Sequence, residues 1–521
     1  MVYRDENIQE ETELSFSNET DFPSVSSIKG DVFKRRNEDV EPITEKSPIE
    51  KKLFEDPDFP ANSSTLYRRK GKSGKKELEW KRPKEIMANP KFVVDGFSRF
   101  DVRQGALGDC WFLASCASLA NISELFGQVV PKENVEFDVD DYEGKFHFRF
   151  WRYGKWVTIV VDDRLPVNGK GKLKYGRTST EDEFWFPLLE KAYAKLHGSY
   201  EALVGGFGGD AMVDLTGGLK KYYTLKKINP KELFTMVQRS LQQNCLIAAG
   251  TKKQPGMEKV KIFGGHEYTV TKIKPIQNDV KLICIRNPWG VGEWNGPWSD
   301  KSTTWKIVSD EKIAKLNVVK EDGEFWMDVT HFIEYFEGIS ICYQSPDDFA
   351  ALQNKKKSSW TTVYQDGKWI RDRTAGGSDK KTFYSNPQYL ITLENHMSNE
   401  VHNENSSKSG KRFNTIVGLM QKHSRALGRK KYSITLAIFP VPESIDLTQC
   451  PLPKRFFDNN KAINNAYLLA NREIIFNKSL SAGKYVLVPY TREAQQEAEF
   501  FIRVISEGDI TLTCMNQIDE A

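Results

Sequence analysis

The sequence is short of paired thiols, of long apolar runs and of any excess of one charge. Its seven cysteines, at 110, 116, 245, 284, 342, 450 and 514, are odd in number, scattered through 521 residues and show no C-x-x-C pair. That pattern argues against a disulfide framework and a structural zinc site, and it predicts a reducing, cytoplasmic setting. No stretch approaches the ~20 consecutive apolar residues that a membrane-spanning helix needs. The opening residues, MVYRDENIQEE, lack the basic-then-apolar pattern of a secretory signal. Basic and acidic side chains nearly balance, 75 against 71, for a net charge of +4. The whole molecule therefore carries no electrostatic footprint for nucleic acid. Histidine is scarce too, with seven in all, so histidine chemistry has few candidates.

What is present reads as a multidomain globular chain, 39% hydrophobic and 28% charged. Residues 1–52, rich in Glu, Asp, Ser, Asn and Thr, are expected to be disordered because they bury too little surface to offset chain entropy. "LFEDPDFPA" (53–61) offers aromatic anchors. The basic stretch "YRRKGKSGKKELEWKRPK" (67–84) is interrupted by Gly, Ser and Glu and reads as a solvated loop. Residues 53–216 mix helix and strand signals, with a hairpin over "KFHFRFWRYGKWVTIVVDD" and a helix over "FWFPLLEKAYAKL". The glycine-dense run 205–219 suggests a joint. Strand patterns fill 217–346, a linker is expected at 347–358, and short strands over 359–521 predict a β-sandwich.

The chemistry centres on "QGALGDCWFLASCASLA" (104–120). Two glycines permit an irregular approach, and the apolar run after them reads as a buried helix whose first turn holds Cys110. Unpaired amides and the dipole at such a terminus favour a thiolate nucleophile. A thiolate needs a base and a group that orients it. Among the histidines, His266 in "FGGHEYTVTKI" follows two glycines at the mouth of a strand. Asn287 in "IRNPWG", 21 residues on, ends a neighbouring strand, where its amide can fix the imidazole tautomer while Trp289 shields the pair. Gln104, six residues before Cys110, is placed to donate to an oxyanion together with the Cys110 N–H.

Those motifs, with "EFWFPLLEKAYAKLHGSYEAL", "GGHEYTV", "RNPWG" and "EDGEFWM", resemble the calpains, the calcium-dependent cytosolic cysteine proteases. The resemblance runs from "LFEDPDFPA" to about residue 515. It implies an α+β fold: a two-lobed papain-like core, with a Cys lobe (53–216) and a His/Asn lobe (217–346), followed by an antiparallel C2-like β-sandwich. It implies Cys110 as nucleophile, His266 as base and acid, Asn287 as orienter and Gln104 in the oxyanion hole. It also implies two calcium ions in the core. One would use the Val94 and Gly96 carbonyls with Asp101 and Glu183; the other would use Glu293, Asp300, the Lys320 carbonyl, Asp322 and Glu324. Calcium takes six to eight oxygens of this mixed kind, and crowded carboxylates without an ion repel, so the empty loops are expected to be loose.

Several features depart from the family's pattern. Glu267 stands where the family has alanine after its histidine, and it is expected either to raise the imidazole pKa or to face solvent. The loop 394–411 is far less acidic than the resemblance implies, and nothing reads as an EF-hand. The expectation is a monomer with no EF-hand small subunit, acting on protein substrates. Lys422, Arg425, Arg429, Lys430 and Lys431 suggest contact with acidic phospholipid. The predicted function is calcium-activated, limited cleavage by an intracellular cysteine endopeptidase; the competing expectation is a catalytically silent binding protein acting through its sandwich.

Overall fold

The computed structural model describes residues 52–68, 78–134, 136–276, 279–309, 311, 316, 319–350, 359–394, 412–448, 450–464 and 467–516. Residues 1–51, basic residues 69–77, linker residues 351–358 and loop residues 395–411 lie outside this set, and so do the expectations that fall on them.

The fold is α+β. Its first lobe is organised by the helix Cys110–Leu119, in which every residue from Trp111 to Leu119 is buried. A helix apolar on all sides must be covered on all sides. The helix Trp185–Leu196 covers one flank, with Tyr193 stacked on Phe112 at 4.0 Å between ring centroids. The hairpin Lys145–Arg152/Lys155–Asp162 closes over that second helix. Its turn is Tyr153–Gly154, both at positive φ (47° and 90°), as a two-residue hairpin turn matched to strand twist requires. The glycine-dense run is not an open joint. Gly208–Thr216 form a buried helix, ended by Gly217 in the left-handed region, and the next strand begins at Leu219.

The second lobe is a six-stranded antiparallel sheet. Its strand order is Leu219–Thr224, Phe336–Tyr343, Leu246–Thr251, Glu267–Pro275, Lys281–Arg286, Glu324–Asp328. The helix Pro230–Gln242 packs on it; Asn229 caps that helix by accepting from the Glu232 N–H at 2.8 Å. The last third is a sandwich of two four-stranded antiparallel sheets around Trp369, Leu419, Leu487, Phe500 and Ile502. Among the described residues no helix is long and apolar enough to cross a membrane.

Three sandwich arginines grip the first lobe. Arg503 donates to the Gly217 and Gly218 carbonyls, both at 3.1 Å. Arg472 donates to the Asp210 carbonyl at 2.9 Å and pairs with Asp214, which also binds Arg152 at 3.0 Å. Arg425 lies over the Trp111 ring at 4.3 Å and donates to the Ala202 and Gly205 carbonyls. Three members of the basic stretch expected to meet lipid have partners within the chain. Arg425 is bound within the chain, Lys422 pairs with Asp366, and Lys431 reaches Asp210 at 3.9 Å.

Asp214 generates a stability prediction. Despite burial, the guanidiniums of Arg472 and Arg152 hold its carboxyl far below the usual range. A folded-state pKa below the unfolded one stabilises fully above about pH 4, and that contribution is lost only as pH falls toward the depressed value. Asp214→Asn leaves two buried cations uncompensated and is expected to cost about 3–5 kcal/mol. A lower urea midpoint for the full chain at pH 7 checks it; an unchanged midpoint contradicts it.

Candidate active site

The approach to Cys110 is fixed by backbone contacts. A Cβ on Gly105 would sit 2.0 Å from the Tyr175 carbonyl oxygen, so only glycine passes there. Gly205 N–H donates to the Gly108 carbonyl at 2.8 Å, which ties the loop before Cys110 to the loop before the Gly208–Thr216 helix. Cys110 opens its helix as expected, but its thiol is not ionised. Burial pushes its pKa up to about 12; the neighbouring Glu267 amide opposes this, and the charges of Glu267 and Asp109 add to it. A helix terminus contributes only about 0.3–1 kcal/mol to a nearby charge, less than this burial costs the thiolate.

His266 and Asn287 meet, as the spacing suggested. The imidazole Nε2 lies 2.9 Å from Asn287 Oδ1. The Asn287 amide is oriented by its own partners: Nδ2 donates to the Val291 and Gly292 carbonyls at 2.9 and 3.2 Å, and Oδ1 also accepts from the Trp289 N–H at 3.1 Å. With Oδ1 facing the ring, Nε2 carries the proton and Nδ1 is left as the acceptor. Burial lowers the imidazole to about 4, so it is neutral at pH 7. Trp289 shields it at 4.6 Å between rings and is packed in turn by Phe263 at 4.2 Å.

Gln104 joins the lobes. Its N–H donates to the Pro288 carbonyl at 2.9 Å, and its Oε1 accepts from the Trp289 indole at 2.7 Å. The side-chain Nε2, expected to serve an oxyanion, instead donates to the Leu107 carbonyl at 2.6 Å. Among the described residues no hydrogen bond joins Cys110 to His266. The site is thus held with a neutral thiol, a neutral imidazole and an occupied amide donor.

Glu267 does neither of the things expected of it. It is absent from the influences on His266, and its Oε1 accepts from the Gly208 N–H at 2.9 Å. Burial raises its carboxyl to about 8. Two further acids had not been singled out. Asp109 and Glu190 are buried directly behind Cys110, and Glu190 accepts from the Gly176 N–H with both oxygens. Burial raises both, and the charge of Asp109 raises Glu190 further, so Glu190 keeps the proton. The available signal was a glutamate inside the otherwise apolar face of "WFPLLEKAYAKL".

The two acidic clusters lie at the lobe surfaces. In the first, Glu183 Oε1 accepts from the Val94 N–H at 2.8 Å, while Oε2 is buried without a partner. Burial, with Asp101 close by, raises Glu183 to about 8; burial raises Asp101 as well. Gly96 turns this loop at a φ of 85°. In the second, Glu293 Oε1 accepts from the Asp322 and Gly323 N–H groups, and the Lys320 N–H donates to Asp300. Burial and the charges of Asp300 and Asp322 raise Glu293 to about 7. Glu324 is different: Arg99 holds it from the other lobe at 2.8 and 3.1 Å, Lys272 at 2.9 Å, and its carboxyl falls to about 2. Among the described residues no three His, Cys, Asp or Glu side chains are arranged to hold a metal ion.

Residues 54–343 match the profile described as calpain family cysteine protease, and residues 365–505 match calpain large subunit, domain III. Calpain-A of Drosophila melanogaster is 40% identical over 490 residues, 90% of this chain and 57% of that protein. The calpain-2 catalytic subunit of Homo sapiens is 40% identical over 493 residues, 91% of this chain and 69% of that protein. Calpain-B of Drosophila melanogaster is 38% identical over 476 residues and half covered by this chain. The chain belongs to the calpain family of cysteine proteases.

Proposed function

We propose that this chain is a cysteine endopeptidase that makes limited cuts in protein substrates and requires calcium to do so. The observation that carries the reading is the His266–Asn287 pair, in which the bond to Asn287 leaves Nδ1 of the ring as the proton acceptor. In the reaction, Nδ1 takes the Cys110 proton and sulfur attacks the scissile carbonyl. The Gln104 amide, once released from the Leu107 carbonyl, and the Cys110 N–H receive the oxyanion. His266 then protonates the leaving amine, and water, activated by the same ring, frees the acyl group. Asn287 keeps the ring in one tautomer throughout.

The donor chemistry of both clusters suits calcium: carboxylates and carbonyls only, an orphaned Glu183 oxygen, and Glu183 and Glu293 carboxyls raised by burial and by neighbouring acids. Val94 and Gly96 carbonyls with Asp101 and Glu183 would hold one ion; Glu293, Asp300, the Lys320 carbonyl, Asp322 and Glu324 would hold the other. Calcium, when bound, would supply positive charge to Glu183 and Glu293, which have no cation partner among the described residues, whereas Glu324 already has Arg99 and Lys272. Protein substrates, action as a monomer and a cytoplasmic setting complete the proposal.

Cleavage of a fluorogenic peptide is expected only with calcium and is expected to fall at least about a thousandfold in Cys110→Ala. Glu183→Gln is expected to move the half-maximal calcium concentration upward about tenfold or more. No turnover at any calcium level in a folded sample would favour the catalytically silent binding protein. A second prediction concerns the resting thiol. In chelator, iodoacetamide is expected to label Cys110 at pH 7 more than tenfold slower than free cysteine, with the rate still rising above pH 9, because the raised pKa keeps the thiol protonated. Mass spectrometry of the Cys110 peptide checks it; a plateau below pH 7 contradicts it.

A further inference from the structure

Three segments begin at one place: the helix at Cys110, the helix at Gly208 and the strand at Glu267, directly after His266. They are pinned together by side chains. Ser115 Oγ donates to the Gly208 carbonyl at 3.0 Å, and Thr269 Oγ1 donates to the Ala114 carbonyl at 2.9 Å. The Glu267 carboxyl stands at this convergence, half-buried, between the nucleophile and the Gly208 N–H.

The seat is shaped for the carboxyl. A Cβ at Gly208 would lie 2.4 Å from Glu267 Oε1, so the missing side chain makes the space. What the carboxyl lacks is a countercharge. The basic groups nearby are committed to Asp210, which takes Lys220 and Lys431, and no cation among the described residues pairs with Glu267. A carboxylate accepts several hydrogen bonds, and Glu267 receives one from a described residue. Burial raises the Glu267 carboxyl to about 8, and a cation brought beside it would favour the carboxylate. The adjoining loop supplies apolar surface: Val204 is 56% exposed and Phe207 49%. Such surface suits the aliphatic stem of a long basic side chain.

We propose that Glu267 is a specificity-determining residue, and that its carboxylate receives an arginine or lysine side chain of the peptide substrate beside the scissile bond. This rests on the endopeptidase reading. A charge-assisted hydrogen bond of this kind discriminates by on the order of tenfold to a hundredfold.

The test uses the full chain with calcium and matched peptides that carry arginine or norleucine at each position flanking the cut. At one of these positions the ratio of kcat/KM, arginine over norleucine, is expected to be about tenfold or more, and to fall toward one in Glu267→Gln. A ratio that survives the substitution, or a uniform loss on both peptides with the ratio kept, would make Glu267 a strut between strand and helix and overturn the proposal. A parallel arm measures binding of uncleavable reduced-amide versions of the same peptides to the Cys110→Ala chain by fluorescence anisotropy. Arginine-selective binding without turnover in the wild type would sink the protease reading and uphold this one. Equal binding, or none, overturns this one regardless of turnover.

Discussion

The helix Cys110–Leu119 has no polar face, and the rest of the molecule is arranged around that fact. Nine consecutive residues behind the nucleophile are buried, more than one lobe can cover. The first lobe supplies Phe186, Tyr193 and Phe150. The sheet supplies the other side, through the Thr269 hydroxyl on the Ala114 carbonyl and the Ile247 N–H on Ser118 Oγ at 3.2 Å. Burying large apolar side chains is worth about 1.5–3 kcal/mol each, so the second lobe docks on the helix at little further cost. A helix wedged between two lobes has its first residue at their seam, which is where a nucleophile must stand if its base comes from the other lobe.

That placement sets the electrostatics. The same burial that fixes Cys110 suppresses its thiolate, and it lowers His266 while raising Asp109, Glu190 and Glu267. Every one of these shifts favours the neutral form. Thiol and imidazole both rest uncharged, and an ion pair between them forms only when they approach closely enough for their attraction to exceed desolvation. Gln104 reports the same state: its donor is spent on Leu107 while its acceptor holds Trp289. The proposed catalytic groups are all present, and among the described residues no hydrogen bond joins Cys110 to His266.

Much of this was legible in the sequence because the signals were local. Alternation and a two-residue turn gave the 145–162 hairpin, and an apolar run after glycines gave the Cys110 helix. Pro288 after Asn287 at a strand end marked the partner of His266. Signals that depend on tertiary contact were misread. The run 205–219 read as a joint by composition, and it does lead from the first lobe into the strand at Leu219, but its middle is a buried helix, since glycines that allow bending also allow close packing: a Cβ on Gly217 would lie 2.8 Å from Trp151. The basic stretch near 422–431 looked like surface, yet Arg425 lies on Trp111 from another domain. Glu267 was read against its sequence neighbour His266, whereas its contact is Gly208, 59 residues away.

The acidic clusters follow the same logic of seam and charge. Arg99 lies two residues before Asp101 in the first cluster, and it reaches across to Glu324 in the second. Arg286, fully buried beside Asn287, donates to the Phe100 and Val102 carbonyls of that same segment. The strand end that carries the orienting asparagine is therefore bonded to the segment that carries the first cluster and leads on to Gln104. Within the second cluster charge is unevenly met: Glu324 has two cations and sits near 2, whereas Glu293 has only backbone amides and sits near 7. Positive charge at Glu293 and Asp300 would compete with Arg99 and Lys272 for the adjacent carboxylate, and Arg99 stands five residues before Gln104 on the same segment. That short stretch of chain joins the acidic clusters to Gln104, the residue between the two lobes.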